Sequence, residues 1–309
     1  MPSIRKGRRP PLLLLPGICC RGNVFGTHRG RGLAWHLEEY FQVTACDLRH
    51  PDSPAGGFDF DSHLYEDLPR LVTEATEQTG VAPWLFGHSM GAQLALAASA
   101  LDLVKIRGII ALAPPCTMGE IRFYPPLMRA ALTLGSFLGM KRVPVRLGAR
   151  ILFWWFSQRR AGRPSGAGSW RGLPRDLLLF HVMSRRSGFD VPLETLAQAT
   201  RWVSEGVWCD RSGTRSYLEV LKNLRVPTLF IAGSKDYIAS LEAVQTGYDR
   251  AGCADKLLVT IPGATHIGLL GTPFVAKVAT ATKDWVARYE KEPGRWHRTS
   301  SVSAQLGIS

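Results

Sequence analysis

The chain has 309 residues, of which 45% are hydrophobic and 20% charged, and it carries a formal net charge of +13. That length and balance exclude a chain disordered throughout and leave room for one large domain or two ordinary ones. The basic excess points to nucleic acid, an anionic membrane surface or an acidic ligand as partners, and says little about fold.

The N-terminus, MPSIRKGRRPPLLLLPG, imitates a secretory leader, but its apolar run, Leu12 to Leu15, is too short and ends at once in Pro16-Gly17. Residues 1–10 therefore read as a basic tail leading into a buried strand, and no apolar stretch reaches transmembrane length. A glycine-rich loop, Gly22 to Gly32, precedes a helix over Leu33 to Tyr40, and Phe41 to Cys46 forms a second strand ending at Asp47. DLRHPDSPAGG is loop chemistry. From Asp61 to Gln78, Leu64, Leu68, Leu71, Val72 and Ala75 share one helical face, and Gly80 is the stop. Trp84 to Phe86 is a third strand. Gln93 to Leu101 is a helix apolar on nearly every side, hence buried. Ile106 to Ala113, Pro227 to Ala232 and Lys256 to Ile261 supply three more strands, and Phe274 to Tyr289 a last helix.

Short, continuously apolar strands alternating with helices predict an α/β fold with a doubly wound, mainly parallel sheet covered on both faces. The rhythm breaks between Cys116 and Asn223, a segment rich in Trp, Phe and Arg without a recognisable strand. The expected organisation is a core of residues 11–115 and 223–290, a helical insertion over 116–222 and a loose tail over 291–309. The six cysteines, at 19, 20, 46, 116, 209 and 253, make no CxxC pair and no zinc spacing. They read as reduced thiols or small core residues, which favours a cytoplasmic setting.

WLFGHSMGAQLALAASA, Trp84 to Ala100, places Gly87-His88-Ser89-Met90-Gly91 at the junction of a strand and a helix. Gly-x-Ser-x-Gly alone is weak; about 0.2 matches arise by chance in such a chain. The strand before and the helix after turn it into the sharp bend that exposes a serine hydroxyl at the sheet's carboxyl edge, with small residues two before and two after so that strand and helix pass closely. A serine needs a base, and the base an orienting group. VPTLFIAGSKDYIAS offers Asp236 just after the fifth strand and LLVTIPGATHIGLL offers His266 just after the sixth, in the order Ser, Asp, His. Alone, Asp236 is equally a turn former and His266 equally a cap or surface histidine. Their order and matching positions at the carboxyl ends of core strands favour the catalytic reading. Oxyanion donors would be the backbone N–H groups of Met90 and of Ile18, which follows Pro16-Gly17. His88 sits inside the bend and packs or hydrogen-bonds beneath it. His28, His36, His50 and His63 precede the serine, His181 falls in the insertion and His297 in the tail, and none makes a metal pattern.

LLLLPG, VTACDLRHP, LFGHSMGAQLALA, LFIAGSKD and IPGATHIGLL together resemble the α/β-hydrolase superfamily, across Pro11 to Pro115 and Asn223 to Tyr289. The resemblance implies serine-hydrolase chemistry on carboxylic esters without a cofactor: Ser89 attacks the carbonyl, His266 moves the proton, Asp236 orients and stabilises the imidazolium, and water releases the acid. GRGLAWHLEEYFQVTACDLR is similar to the same region of monoacylglycerol-lipase-like members. Pro16 stands where the family usually has a histidine, and the chain begins almost at the first core strand, with little of the usual N-terminal hairpin.

Residues 116–222 sit where that superfamily carries a cap over the serine. From Thr117 to Arg215 there are 16 Arg and Lys against 6 Asp and Glu, which accounts for +10 of the whole-chain +13. ILFWWF, Ile151 to Phe156, stands beside this charge. It packs the cap onto the core, lines an acyl pocket or meets an anionic membrane surface. No nucleic-acid motif accompanies the charge, and GTHRGRG is neither a phosphate loop nor a dinucleotide fingerprint. The expected activity is hydrolysis of hydrophobic, lipid-like esters. An acyltransferase using the same acyl-enzyme, or a non-catalytic lipid- or membrane-binding protein of the same fold, stays open at this point.

Overall fold

A computed structural model describes residues 9–26, 32–50, 58–118, 124–144 and 182–290, with 146–148, 150, 151 and 154 between. The basic tail over 1–8, the C-terminal tail over 291–309, four residues of ILFWWF, and His28, His181 and His297 lie outside the described residues.

Six parallel strands form the sheet: β1 (Pro11–Leu15), β2 (Gln42–Ala45), β3 (Trp84–His88), β4 (Gly108–Leu112), β7 (Thr228–Gly233) and β8 (Lys256–Ile261). Their spatial order is β2-β1-β3-β4-β7-β8. The four inner strands are buried along their whole length, whereas the edge strands β2 and β8 are largely half-buried or exposed. That difference explains their sequences. PLLLL and GIIAL are buried on both faces and need no polar alternation, while QVTA borders solvent.

The chain runs from β1 outward to β2, then returns to the other side of β1 to make β3. The sheet therefore reverses its winding between β1 and β3, and at such a switch point the loops leaving neighbouring strands part to open a crevice at their carboxyl ends.

Helices cover the sheet: α1 (Leu33–Glu38), α2 (Phe60–Ser62, a π turn over His63–Asp67, and Leu68–Thr79), α3 (Met90–Ala100), α7 (Leu241–Arg250) and α8 (Val275–Glu290). Every residue of α3 except Ser99 is buried, as its all-round apolar sequence requires. Asp59 starts α2 through a capping box with Ser62, and Gly80, at φ 72°, ends it.

Between β4 and β7 lie α4 (Tyr124–Phe137), α5 (Leu193–Glu205) and the short α6 (Tyr217–Val220). This segment also holds strands, contrary to the sequence expectation. Arg142–Val143 (β5) pairs antiparallel with Val191–Pro192 (β6). Two-residue strands are too short for side-chain alternation to register, and Pro192 disguises the second.

Candidate active site

Ser89 joins β3 to α3 with φ 55° and ψ −119°, a conformation that L side chains rarely adopt. The turn is pinned from both sides. Ser89 N–H donates to Leu112 O at 2.9 Å, and Ser89 O accepts from the N–H groups of Ala92 and Gln93. The flanking glycines are sterically required. A methyl at Gly87 would lie 2.3 Å from Gly91 C, and one at Gly91 would lie 2.2 Å from Leu15 O. Strand and helix approach closely enough to hold the bend because neither residue has a side chain.

Asp236 lies in the loop after β7. Its Oδ1 accepts from the N–H groups of Ile238 (2.9 Å) and Ala239 (2.8 Å), and its Oδ2 is 2.8 Å from His266 Nδ1. The carboxylate is thus oriented by backbone before it meets the imidazole. The two loops are also tied to each other, Lys235 N–H donating to Ala264 O at 2.9 Å. A carboxylate facing Nδ1 selects the Nδ1–H tautomer and leaves Nε2 with its lone pair, ready to take a proton. Ser89, Asp236 and His266 are all buried.

His88 completes the connection between the serine and the histidine loop. Its Nε2 lies 3.2 Å from the backbone carbonyl oxygen of His266, and the two rings are 4.8 Å apart. A carbonyl only accepts, so His88 is the donor. Burial, reinforced by neighbouring His266, pushes its pKa down to about 3, so the ring is neutral and acts as a strut. Sequence reasoning placed His88 beneath the bend but could not name its partner. Ser89 Oγ makes no hydrogen bond to His266 among the described residues; contacts between a nucleophile and its base commonly tighten when substrate binds.

The loop after β1 passes over the serine. A methyl at Gly17 would lie 3.3 Å from Ser89 Cβ and 3.4 Å from His88 Nδ1. Next to it, Ile18 is partly exposed, and neither its N–H nor that of Met90 donates to an acceptor among the described residues. Beyond Ile18 this loop pairs with the segment inserted after β4. Arg21 N–H donates to Ser187 O (2.8 Å), Phe189 N–H donates to Cys19 O (2.9 Å), and Cys20 and Gly188 form an antiparallel bridge. Nothing in the sequence marks residues 187–189 for this role.

A second His–Asp pair lies elsewhere. His63 Nδ1 is 2.7 Å from Asp67 Oδ2 on the π turn of α2, and Asp67 also receives Arg49 N–H and Nε–H. Both residues are buried, and His63 stacks at 4.9 Å on Phe58. Burial pushes the Asp67 carboxyl up, but the hydrogen bonds from His63 and Arg49 outweigh it and hold the group below its ordinary value. This cluster fastens the loop after β2 to α2. Among the described residues no group of three or more His, Cys, Asp or Glu could hold a metal ion, no helix is long and apolar enough to cross a membrane, and all six cysteines are free thiols.

A profile of the alpha/beta hydrolase family matches residues 12–279. No curated protein sequence matches the chain. Among solved structures, the monoacylglycerol lipase of Paleococcus ferrophilus is 17% identical, with 91% of this chain and 97% of that one covered and a TM-score of 0.58. A thermophilic esterase from Thermogutta terrifontis is 19% identical over 91% of both chains, with a TM-score of 0.60. A lipase-esterase related protein from Clostridium acetobutylicum is 14% identical, covering 91% of this chain and 96% of that one, with a TM-score of 0.57. At these identities the likeness is one of fold.

Proposed function

The chain belongs to the alpha/beta hydrolase family, and from that premise we propose that it is a serine hydrolase cleaving hydrophobic carboxylic esters through an acyl-enzyme on Ser89. The observation that carries the reading is the Asp236–His266 hydrogen bond, held by His88 beside a serine on a strained strand-to-helix turn. In this reading Ser89 Oγ attacks the ester carbonyl carbon while His266 Nε2 takes its proton. The oxyanion lies against the N–H groups of Ile18 and Met90, with the N-terminus of α3 adding favourable potential. His266 then protonates the leaving alkoxide. A water molecule, deprotonated by the same nitrogen, attacks the acyl carbon, and the acid leaves as Ser89 recovers its proton. Asp236 keeps the imidazole in the Nδ1–H tautomer and stabilises its charged form without taking the proton.

Residues 116–222 act in this reading as a cap that selects the ester. The grip of residues 187–189 on the loop carrying Ile18 supports that role. The aromatic and aliphatic content of the segment favours apolar acyl or alcohol groups.

The test is turnover of p-nitrophenyl esters from acetate to palmitate by the wild type, Ser89→Ala, His266→Ala and Asp236→Asn, with mass spectrometry of the protein after a serine-directed phosphonate. The expected result is a phosphonate adduct on Ser89 and a loss of kcat of about 10⁴-fold or more in the first two variants. Wild-type turnover no greater than that of Ser89→Ala on every ester, or no adduct, overturns the reading. Products carrying an added alcohol in place of water would make the enzyme a transferase.

A further inference from the structure

The exposed large apolar side chains of the described residues are unevenly spread, six of thirteen falling between Leu134 and Trp154. They are ordered by two helical repeats. At the end of α4, Leu134 and Phe137, with Leu138 just beyond the helix, lie at i, i+3 and i+4, and Phe137 is 85% exposed. The helix turns its other side inward, where a methyl at Gly135 would lie 3.1 Å from Leu193 of α5. Beyond β5, helical residues Leu147, Ile151 and Trp154 lie at i, i+4 and i+7, each more than half exposed. A globular helix ordinarily buries such a stripe, and exposed apolar surface of this extent marks an interaction site.

The charge along the sequence that carries the stripes has one sign. Between Glu120 and Asp176 the sequence holds eleven Arg and Lys and no Asp or Glu. Lys141, Arg142, Arg146 and Arg150 are exposed among the apolar residues. Arg146, Arg150 and Arg185 line a cavity of about 430 Å³ whose one acidic group is Asp190. Arg146 lies 3.4 Å from that carboxylate, leaving an excess of positive charge.

We propose that this face, made by α4 and the helical residues 146–148, 150, 151 and 154, docks onto an anionic lipid bilayer surface, its apolar stripes entering the headgroup boundary and its arginines meeting lipid phosphates and carboxylates. Three considerations select that occupant. A second copy of the chain would bring two strongly positive segments together. Single-stranded nucleic acid rewards aromatic stacking, whereas four of the six apolar residues are Leu or Ile, which offer no π face. Lipid rewards the combination found, aliphatic and aromatic side chains rimmed by arginine. The α4 helix has 14 residues, too few to span a bilayer, so it lies in the interface plane. The inference is independent of the ester chemistry, because docking is read without turnover.

The experiment is flotation of the full-length protein with vesicles of phosphatidylcholine alone and of phosphatidylcholine mixed with phosphatidylserine, at low and high salt. Ser89→Ala is carried alongside, and its wild-type binding separates this proposal from the fate of the serine chemistry. Expected are binding to the mixed vesicles that weakens with salt, weaker binding to neutral ones, a loss of about tenfold or more for Arg150→Glu, and loss of binding for the double variant Phe137→Ser, Trp154→Ser. The side chains of Phe137, Arg150 and Trp154 are exposed, and unchanged thermal melts establish that the variants fold. No binding at low salt, equal binding to both vesicle types, or binding untouched by the substitutions overturns the proposal. So does a concentration-dependent dimer abolished by Phe137→Ser, which would assign the face to self-association, or capture of single-stranded RNA in preference to anionic vesicles.

Discussion

His88 Nε2 donates to the backbone carbonyl of His266 at 3.2 Å, with the rings 4.8 Å apart and inclined at 41°. The residue before the candidate nucleophile thus holds the loop that carries the candidate base. Burial first, then the nearby His266, depress the pKa of His88 from 6.5 to about 3. The unfolded chain therefore binds a proton at this residue between these values and the folded protein does not. Stability from the neutral ring is fully present above about pH 6.5 and is lost as pH falls toward about 3, by at most roughly 1.4 kcal/mol per pH unit. The stability of the wild type in chemical denaturation should fall from about pH 7 to about pH 4, and His88→Gln should show a shallower slope. Equal slopes for the two proteins would refute the assignment.

The same contact predicts a kinetic signature. His88→Ala removes the donor to the His266 loop without touching substrate, so kcat should fall by roughly ten- to a hundredfold with little change in KM. His88→Gln, which keeps an N–H donor, should recover part of the loss. If both variants lose the same activity, filling space rather than holding the loop is what His88 does.

Two glycines near the serine should respond in opposite ways. At Gly17 an added methyl meets Ser89 Cβ at 3.3 Å and His88 Nδ1 at 3.4 Å, crowding that a shift of a few tenths of an ångström relieves. Gly17→Ala should fold and lose about tenfold or more in kcat through displacement of the proposed catalytic groups. At Gly91 the methyl would lie 2.2 Å from Leu15 O, backbone of a buried strand that has nowhere to go. Gly91→Ala should cost more than about 4 kcal/mol or fail to fold. Thermal melts beside turnover separate the two, and a stable Gly91→Ala would contradict the tight strand–helix approach.

The sheet was legible because buried parallel strands announce themselves as unbroken apolar runs. Leu12 to Leu15 and Pro227 to Ala232 match β1 and β7 to within one residue. The placement of Ser89 on its bend was legible because that bend needs glycines at fixed offsets, and the meeting of Asp236 and His266 because each follows the end of β7 or β8 by a few residues. What escaped was pairing between distant segments. The β5–β6 ladder and the hold of residues 187–189 on Cys19 to Arg21 are backbone hydrogen bonds, which leave no side-chain pattern to read. The His63–Asp67 pair was hidden for a different reason. Their i, i+4 spacing fits any exposed helical ion pair, and only tertiary packing buries them.

That backbone pairing makes the inserted segment part of the site's geometry. Gly188 lies opposite Cys20, and a methyl there would meet Ser184 Cα and O at 2.7 Å. Relief requires residues 187–189 to move, and with them the loop that carries the Ile18 N–H two residues before Cys20. Gly188→Ala should therefore lower kcat by about tenfold although residue 188 is not one of the proposed catalytic groups. Gly26→Ala, further along that loop at φ −119° with nothing within 4 Å of the added methyl, should leave both activity and melting temperature unchanged. If Gly188→Ala lowers the melting temperature but turns over like the wild type, the inserted segment stabilises the protein without positioning the oxyanion donor, and selection of the ester must lie elsewhere.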